Sequence, residues 1–359
     1  MTRGSPRQRF LLIEGGRGVA ALLVVLHHVG SIMAEGRFFG AQPFGGHLSN
    51  FNVGVDFFFV LSGFIITWIH QADIGHADRL GRFARRRFLR IFPPYWAILI
   101  PLLLLYLAFP NLGRDHQRQP VNILLSFLLL PNTVHPVLGV AWTLTYEIMF
   151  YAVFALIIAM GQRALWLFPI WAATIMAVAV RGVALPFPLG FVLSPYNLEF
   201  IAGVGVALVL QGHRVPAPRL VTAAGAALFL IAMLVGLHLQ DDPLRGRLVF
   251  GGTACLFVLG AVEWERTRTL RLPGFWIRLG EASFAIYLIH VLAISFGTSL
   301  LIRLGARPFP LPLVGTMLAA IAVLAGLAFH LLVEPRAVAL ARHLLDRRRQ
   351  AATVMLNNG

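Results

Sequence analysis

The chain has 359 residues, 58% of them hydrophobic and only 13% charged. Soluble domains carry roughly 45–50% apolar and about 25% charged residues, so this composition excludes a soluble enzyme, a disordered protein and a disulfide-stapled secreted domain. The net charge is +15, carried by 30 arginines and no lysine, yet these lie in short gaps between apolar runs, too short for a nucleic-acid-binding module, and nucleic acid is set aside as a partner.

Ten apolar runs approach the roughly 20 residues that a spanning helix needs. They predict transmembrane helices over 12–33, 53–70, 91–109, 139–160, 164–181, 190–210, 219–239, 248–264, 280–302 and 311–333. A shorter run, 121–130, ends at Pro131 and is too brief to cross. The first run has no small-residue cleavage site after a short core and reads as a retained helix. The predicted fold is all-α and polytopic: one transmembrane domain over 1–345, then a basic, flexible cytoplasmic tail over 346–359. With the N-terminus inside, the inner segments hold 21 arginines and the outer ones eight, with Arg17 inside the first helix. That bias places both termini in the cytoplasm. The lone Cys255 lies in an apolar run and reads as a small buried hydrophobe; no metal site is expected.

Ionisable groups in apolar helices are costly and mark function. Those in this chain are Arg17, His27, His28, Asp56, Glu147, Glu199, His290 and His330. At about 100° per residue, Arg17 and His28 lie about 20° from eclipsed and about 16 Å apart along one helix. Asp56, Gly63 and Thr67 share a stripe on the second. Thr143, Glu147 and Tyr151 stack at i, i+4 and i+8 on the fourth, and Ser283 and His290 align on the ninth, with Tyr287 nearby. Depth adds a pattern: Arg17 and the run Arg79–Arg90 sit at cytoplasmic ends, and the imidazoles and carboxylates sit deeper. A cationic mouth suits a phosphate-rich ligand, because arginine grips phosphate with a bidentate fork. A histidine beside a carboxylate suits proton abstraction from an alcohol. Ser62, in Leu-Ser-Gly-Phe, lacks the pattern of a nucleophile elbow, Phe57, Phe58 and Phe59 read as packing or lipid-facing groups, and Glu199 and His330 receive no role.

Five segments carry these residues in order: Arg17–His28 (RGVAALLVVLHH), Val53–Thr67 (VGVDFFFVLSGFIIT), Arg86–Tyr95 (RRFLRIFPPY), Ala141–Tyr151 (AWTLTYEIMFY) and Ser283–His290 (SFAIYLIH). Together they resemble the integral-membrane acyltransferase family 3, the bacterial glycan O-acyltransferases, and the form of the fourth segment is closest to the exopolysaccharide-modifying branch. The resemblance covers almost the whole chain, to Glu334–Pro335. It implies ten core helices in the bacterial inner membrane and transfer of an acyl group, usually acetyl from acetyl-CoA, to a sugar hydroxyl. It marks His28 as the essential histidine, Arg17 and Arg90 as important arginines, and Asp56 as the acid of the second segment. Where many relatives have two adjacent acidic residues in the fourth segment, Glu147 is followed here by Ile148.

The resulting assignment makes His28, Asp56 and Glu147 catalytic and gives Arg17, Arg86, Arg87 and Arg90 to the acyl-CoA co-substrate, with no metal. His27, Trp142, Tyr151, Ser283, Tyr287 and His290 line the acceptor cavity. The expected partners are a glycan or lipid-linked sugar acceptor, membrane lipid and polysaccharide-biosynthesis machinery. The alternatives are a transporter or flippase for a glycan or lipid intermediate, acylation of a small metabolite such as a macrolide, and a structural subunit of an export machine.

Overall fold

The computed structural model describes residues 10–109, 111–235 and 242–357. Its helices are α1 (Leu11–Met33), α2 (Gly54–His70), α3 (Leu80–Ala108), α4 (Pro120–Leu128), α5 (Trp142–Met160), α6 (Leu167–Val180), α7 (Leu189–Val192), α8 (Tyr196–Gly212), α9 (Pro218–Leu234), α10 (Pro243–Thr267), α11 (Gly274–Glu281), α12 (Ser283–Arg303), α13 (Leu311–Leu332) and α14 (Glu334–Asn357). No strand occurs among the described residues. Among the described residues, nine segments are long and apolar enough to cross a membrane, and α9 is a shorter apolar helix. The protein is therefore an all-α, multi-pass membrane protein.

Each of the ten predicted helices has a counterpart. The differences lie at the ends. The third begins at Leu80, eleven residues earlier than predicted, because its arginines are good helix formers even where no apolar face announces a helix. Part of the seventh, 236–239, lies outside the described residues. The short run 121–130 forms the nine-residue α4. The stretch 346–359 starts inside α14, which runs to Asn357.

The chain divides into two compact units: residues 1–72, 165–284 and 294–321, and residues 73–164, 285–293 and 322–359. In the first, the N-terminus of α1 is capped from a distance: the backbone N–H groups of Leu11 and Leu12 donate to the two carboxylate oxygens of Glu265, each at 2.6 Å. A carboxylate there satisfies open amides and complements the helix dipole. Asp242 does the same for α10, accepting from Leu244 and Arg245. The core joins Phe57, Val60, Leu61 and Phe64 of α2 to Val206, Ala207 and Leu210 of α8 and to Ala254, Val258 and Ala261 of α10. Apolar contact alone does not drive helices together in lipid, so close packing has to. At the crossing of α2 and α8, a Cβ on Gly63 would run into the Phe200 carbonyl, and one on Gly203 into that of Val60. The two glycines let the backbones touch.

In the second unit, α3 carries Pro93, Pro94 and Pro101 inside the helix. Tyr95 donates to the Ser126 carbonyl at 2.7 Å and Trp96 to that of Phe127 at 2.9 Å, pinning α4 to α3. The Trp96 ring stacks on Phe127 with centroids 4.7 Å apart. Phe83 of α3 packs on Tyr151 and Phe154 of α5. The α14 helix is tied to α3 by Arg85 and Asp346 at 2.6 Å.

Candidate functional site

In the first unit, α1 is unbroken from Arg17 to His28, so the shared face read from the sequence stands on one continuous helix. Arg17 pairs with Glu14, one turn earlier, at 3.4 Å. His28 is half-buried, and its Nδ1 lies 3.0 Å from the Val24 carbonyl. A carbonyl can only accept, so Nδ1 carries a proton. The ring of His27 meets that of His28 edge-on at 5.0 Å, and its own Nδ1 donates to the Ser49 carbonyl at 2.9 Å.

Asp56 lies in the first turn of α2, with 1% of its surface exposed. Arg247 of α10 reaches it, Nη1 to Oδ1 at 2.6 Å, and Nε of the same guanidinium stands 3.8 Å from Oε1 of Glu199 on α8. The guanidinium also lies over the Tyr196 ring at 4.6 Å. Thus the acid expected beside His28 is engaged by an arginine. The place a carboxylate would take at Nδ1 of His28 is held by the Val24 carbonyl. Glu199, which the sequence leaves without a role, and Arg247, at the edge of an apolar run, are thus joined to Asp56. Ser283 is fully buried, and its hydroxyl meets no hydrogen-bond partner among the described residues.

In the second unit, the stack read on α5 recurs as contacts. Tyr151 donates to Glu147, and the Arg87 guanidinium lies over the Tyr151 ring at 5.4 Å and over Phe83 at 5.7 Å. Arg87 of the cationic run thus turns inward, toward an expected catalytic carboxylate. Arg90 stands 3.8 Å from Glu334, which accepts from His330 at 2.8 Å, so the unassigned His330 belongs to an ion-pair group. Arg82 and Arg79 share Asp73 at 2.8 and 3.1 Å. Arg82, Arg86 and Arg90 are exposed and spaced four apart on one stripe of α3, a row of cations one turn apart. Tyr287 donates to the Val140 carbonyl at 3.0 Å and shares a 2.9 Å bond with Thr143. Beside Tyr287, the fully buried His290 donates from Nδ1 to that residue's carbonyl at 2.7 Å. Trp142 is half-buried and meets Tyr146 edge-on.

Among the described residues, no group of three potential metal-ligating side chains converges. An open groove of about 650 Å³ along α6, lined mainly by apolar side chains, contains none of these candidates.

Residues 11–331 match the profile of a family described as an acyltransferase domain. The exopolysaccharide production protein ExoZ of Rhizobium meliloti (strain 1021) is 33% identical over 322 residues, covering 83% of this chain and 92% of that protein. The acyltransferase MdmB of Streptomyces mycarofaciens is 29% identical over 389 residues, covering 95% and 94%. Protein 2 in the picA locus of Rhizobium radiobacter is 30% identical over 200 residues, half of this chain and 95% of that one. No solved structure matches.

Proposed function

The chain belongs to the acyltransferase family that its residues 11–331 match, a family of membrane O-acyltransferases, and from that premise we propose that it moves an acetyl group from acetyl-CoA to a hydroxyl of an exopolysaccharide or its lipid-linked precursor. The observation that carries the reading is the hydrogen bond from His28 Nδ1 to the Val24 carbonyl. With Nδ1–H donated to the Val24 carbonyl, the neutral ring presents Nε2 as the base. It takes the proton of the acceptor hydroxyl as that oxygen attacks the thioester carbonyl. The carbon–sulfur bond breaks, and the coenzyme leaves as a thiolate that takes the proton back from the imidazolium. General-base help of this kind contributes about 10²–10⁴ in rate.

The α3 arginines, Arg86 and Arg90 foremost, hold the phosphates of the coenzyme. Arg87, Asp56 and Glu147 act as positioning residues: Arg87 lies over the Tyr151 ring, Tyr151 donates to Glu147, and Arg247 pairs with Asp56. Within the second unit, Trp142, Tyr151, Tyr287 and His290 shape the acceptor's surroundings. The similarity to ExoZ supports a polysaccharide acceptor. The arginine distribution supports a bacterial inner-membrane protein with both termini in the cytoplasm. Family membership weighs against the transporter reading and the structural-subunit reading.

The test compares acyl groups on surface glycans in a deletion strain complemented with the natural chain or with His28→Ala. Loss of glycan O-acetyl in the deletion strain, restored only by the natural chain, supports the proposal. Glycans unchanged by the deletion refute a glycan acceptor; full restoration by His28→Ala refutes the role of His28.

A further inference from the structure

Sealed within the first unit is a three-residue charged site to which the transfer reaction assigns no chemical step. Asp56, Glu199 and Arg247 come from three helices, and their exposures are 1%, 1% and 8%. The site is built rather than incidental. On each helix a glycine one or two turns further along makes the close approach: Gly63 after Asp56, Gly203 after Glu199, Gly251 after Arg247. A Cβ on Gly251 would sit 3.2 Å from the Cγ of Glu199 itself.

Two features of this site do not close without one more particle. The first is hydrogen bonding. All four carboxyl oxygens of Asp56 and Glu199 are shut off from solvent, and they offer more acceptor sites than the neighbouring donors fill. Arg247 supplies charge from 2.6 and 3.8 Å. The Asp56 and Glu199 carboxyls are brought together by the one guanidinium that meets both. Ionised carboxylates only accept, so such a pair bonds only through a proton. The second is charge. Two carboxylates and one guanidinium leave a net −1 in a solvent-free interior, where an uncompensated charge is strongly disfavoured. The other polar neighbours are the Tyr196 ring under the guanidinium and the Cys255 thiol near Glu199. Neither adds a positive charge.

We propose that one proton is bound between the carboxyl groups of Asp56 and Glu199, linking them by a hydrogen bond and bringing the site with Arg247 to zero net charge. This proton site is independent of the reaction assigned above, and its test needs no turnover.

The test is infrared spectroscopy of the purified full chain in nanodiscs at neutral pH, reading the carbonyl stretch of protonated carboxyl groups. The natural chain shows such a band, and it moves when Asp and Glu carboxyls are isotope-labelled. Glu199→Gln removes it, and so does Asp56→Asn, because the remaining carboxylate then pairs with Arg247 alone. Arg247→Met roughly doubles the band, since both carboxyls must then be neutral. A natural chain with no labelled band overturns the proposal whether or not any variant folds. A band unchanged by both Glu199→Gln and Asp56→Asn also overturns it.

Discussion

Replacing Arg247 by methionine keeps an unbranched side chain and removes the cation between Asp56 and Glu199. The guanidinium is 8% exposed and its Asp56 partner 1%, so solvent screens the pair little. Two unit charges about 4 Å apart interact by about 4 kcal/mol at an effective dielectric of 20. Removing one partner of a buried pair costs about 3–5 kcal/mol, because the other group must then either stay charged without a partner or take up a proton to be buried. Arg247→Met should therefore lose about 3–5 kcal/mol in equilibrium unfolding from mixed micelles. Asp56→Asn in the Arg247→Met background should recover most of that loss, since only Glu199 with its proton then remains. The two substitutions should be strongly coupled rather than additive. An Arg247→Met protein within about 1 kcal/mol of the natural chain, or a double variant whose loss is the sum of the singles, would refute the argument.

His28→Ala should lower transfer by about 10²–10⁴ while leaving the melting profile of the purified protein in place, as measured with radiolabelled donor in membranes. Gly203→Ala should destabilise by about 1–3 kcal/mol, since the new methyl meets the Val60 backbone. Gly205→Ala, two residues on and facing open space, should be neutral or stabilise by up to about 1 kcal/mol. Thermal denaturation of the two variants side by side checks the sign of each. Tyr287→Phe should cost only about 1 kcal/mol, because Thr143 also reaches the Val140 carbonyl, at 3.1 Å; a chemical-denaturation midpoint reads it.

The helices were legible because lipid demands long apolar runs, and the sequence supplies them almost without interruption. The start of α3 was not, since Arg82 to Arg87 carry no apolar periodicity and the helix there is set by propensity and by packing of Phe83 on α5. In the site, Asp56 and Glu199 stood out as acids in apolar helices. Their shared cation did not, because Arg247 follows Asp241, Asp242 and Arg245 and reads as part of a loop, while Asp242 caps α10 and places Arg247 in its second turn. A usable signal was present: two stranded acids call for a cation, and both Glu199 and Arg247 are followed four residues later by glycine. The orientation of His28 by a carbonyl of its own helix left no trace in composition or spacing.

The two adjacent prolines of α3 bear on how its basic end behaves. Pro93 and Pro94 have no N–H, so two successive rungs of the helix ladder, those that would end on the carbonyls of Leu89 and Arg90, are missing just past the arginine stripe. The rod is weakest in bending at that point. Beyond it, Tyr95 and Trp96 anchor the apolar portion on α4, while the basic portion is held separately by Phe83 on α5 and by Arg85 on Asp346.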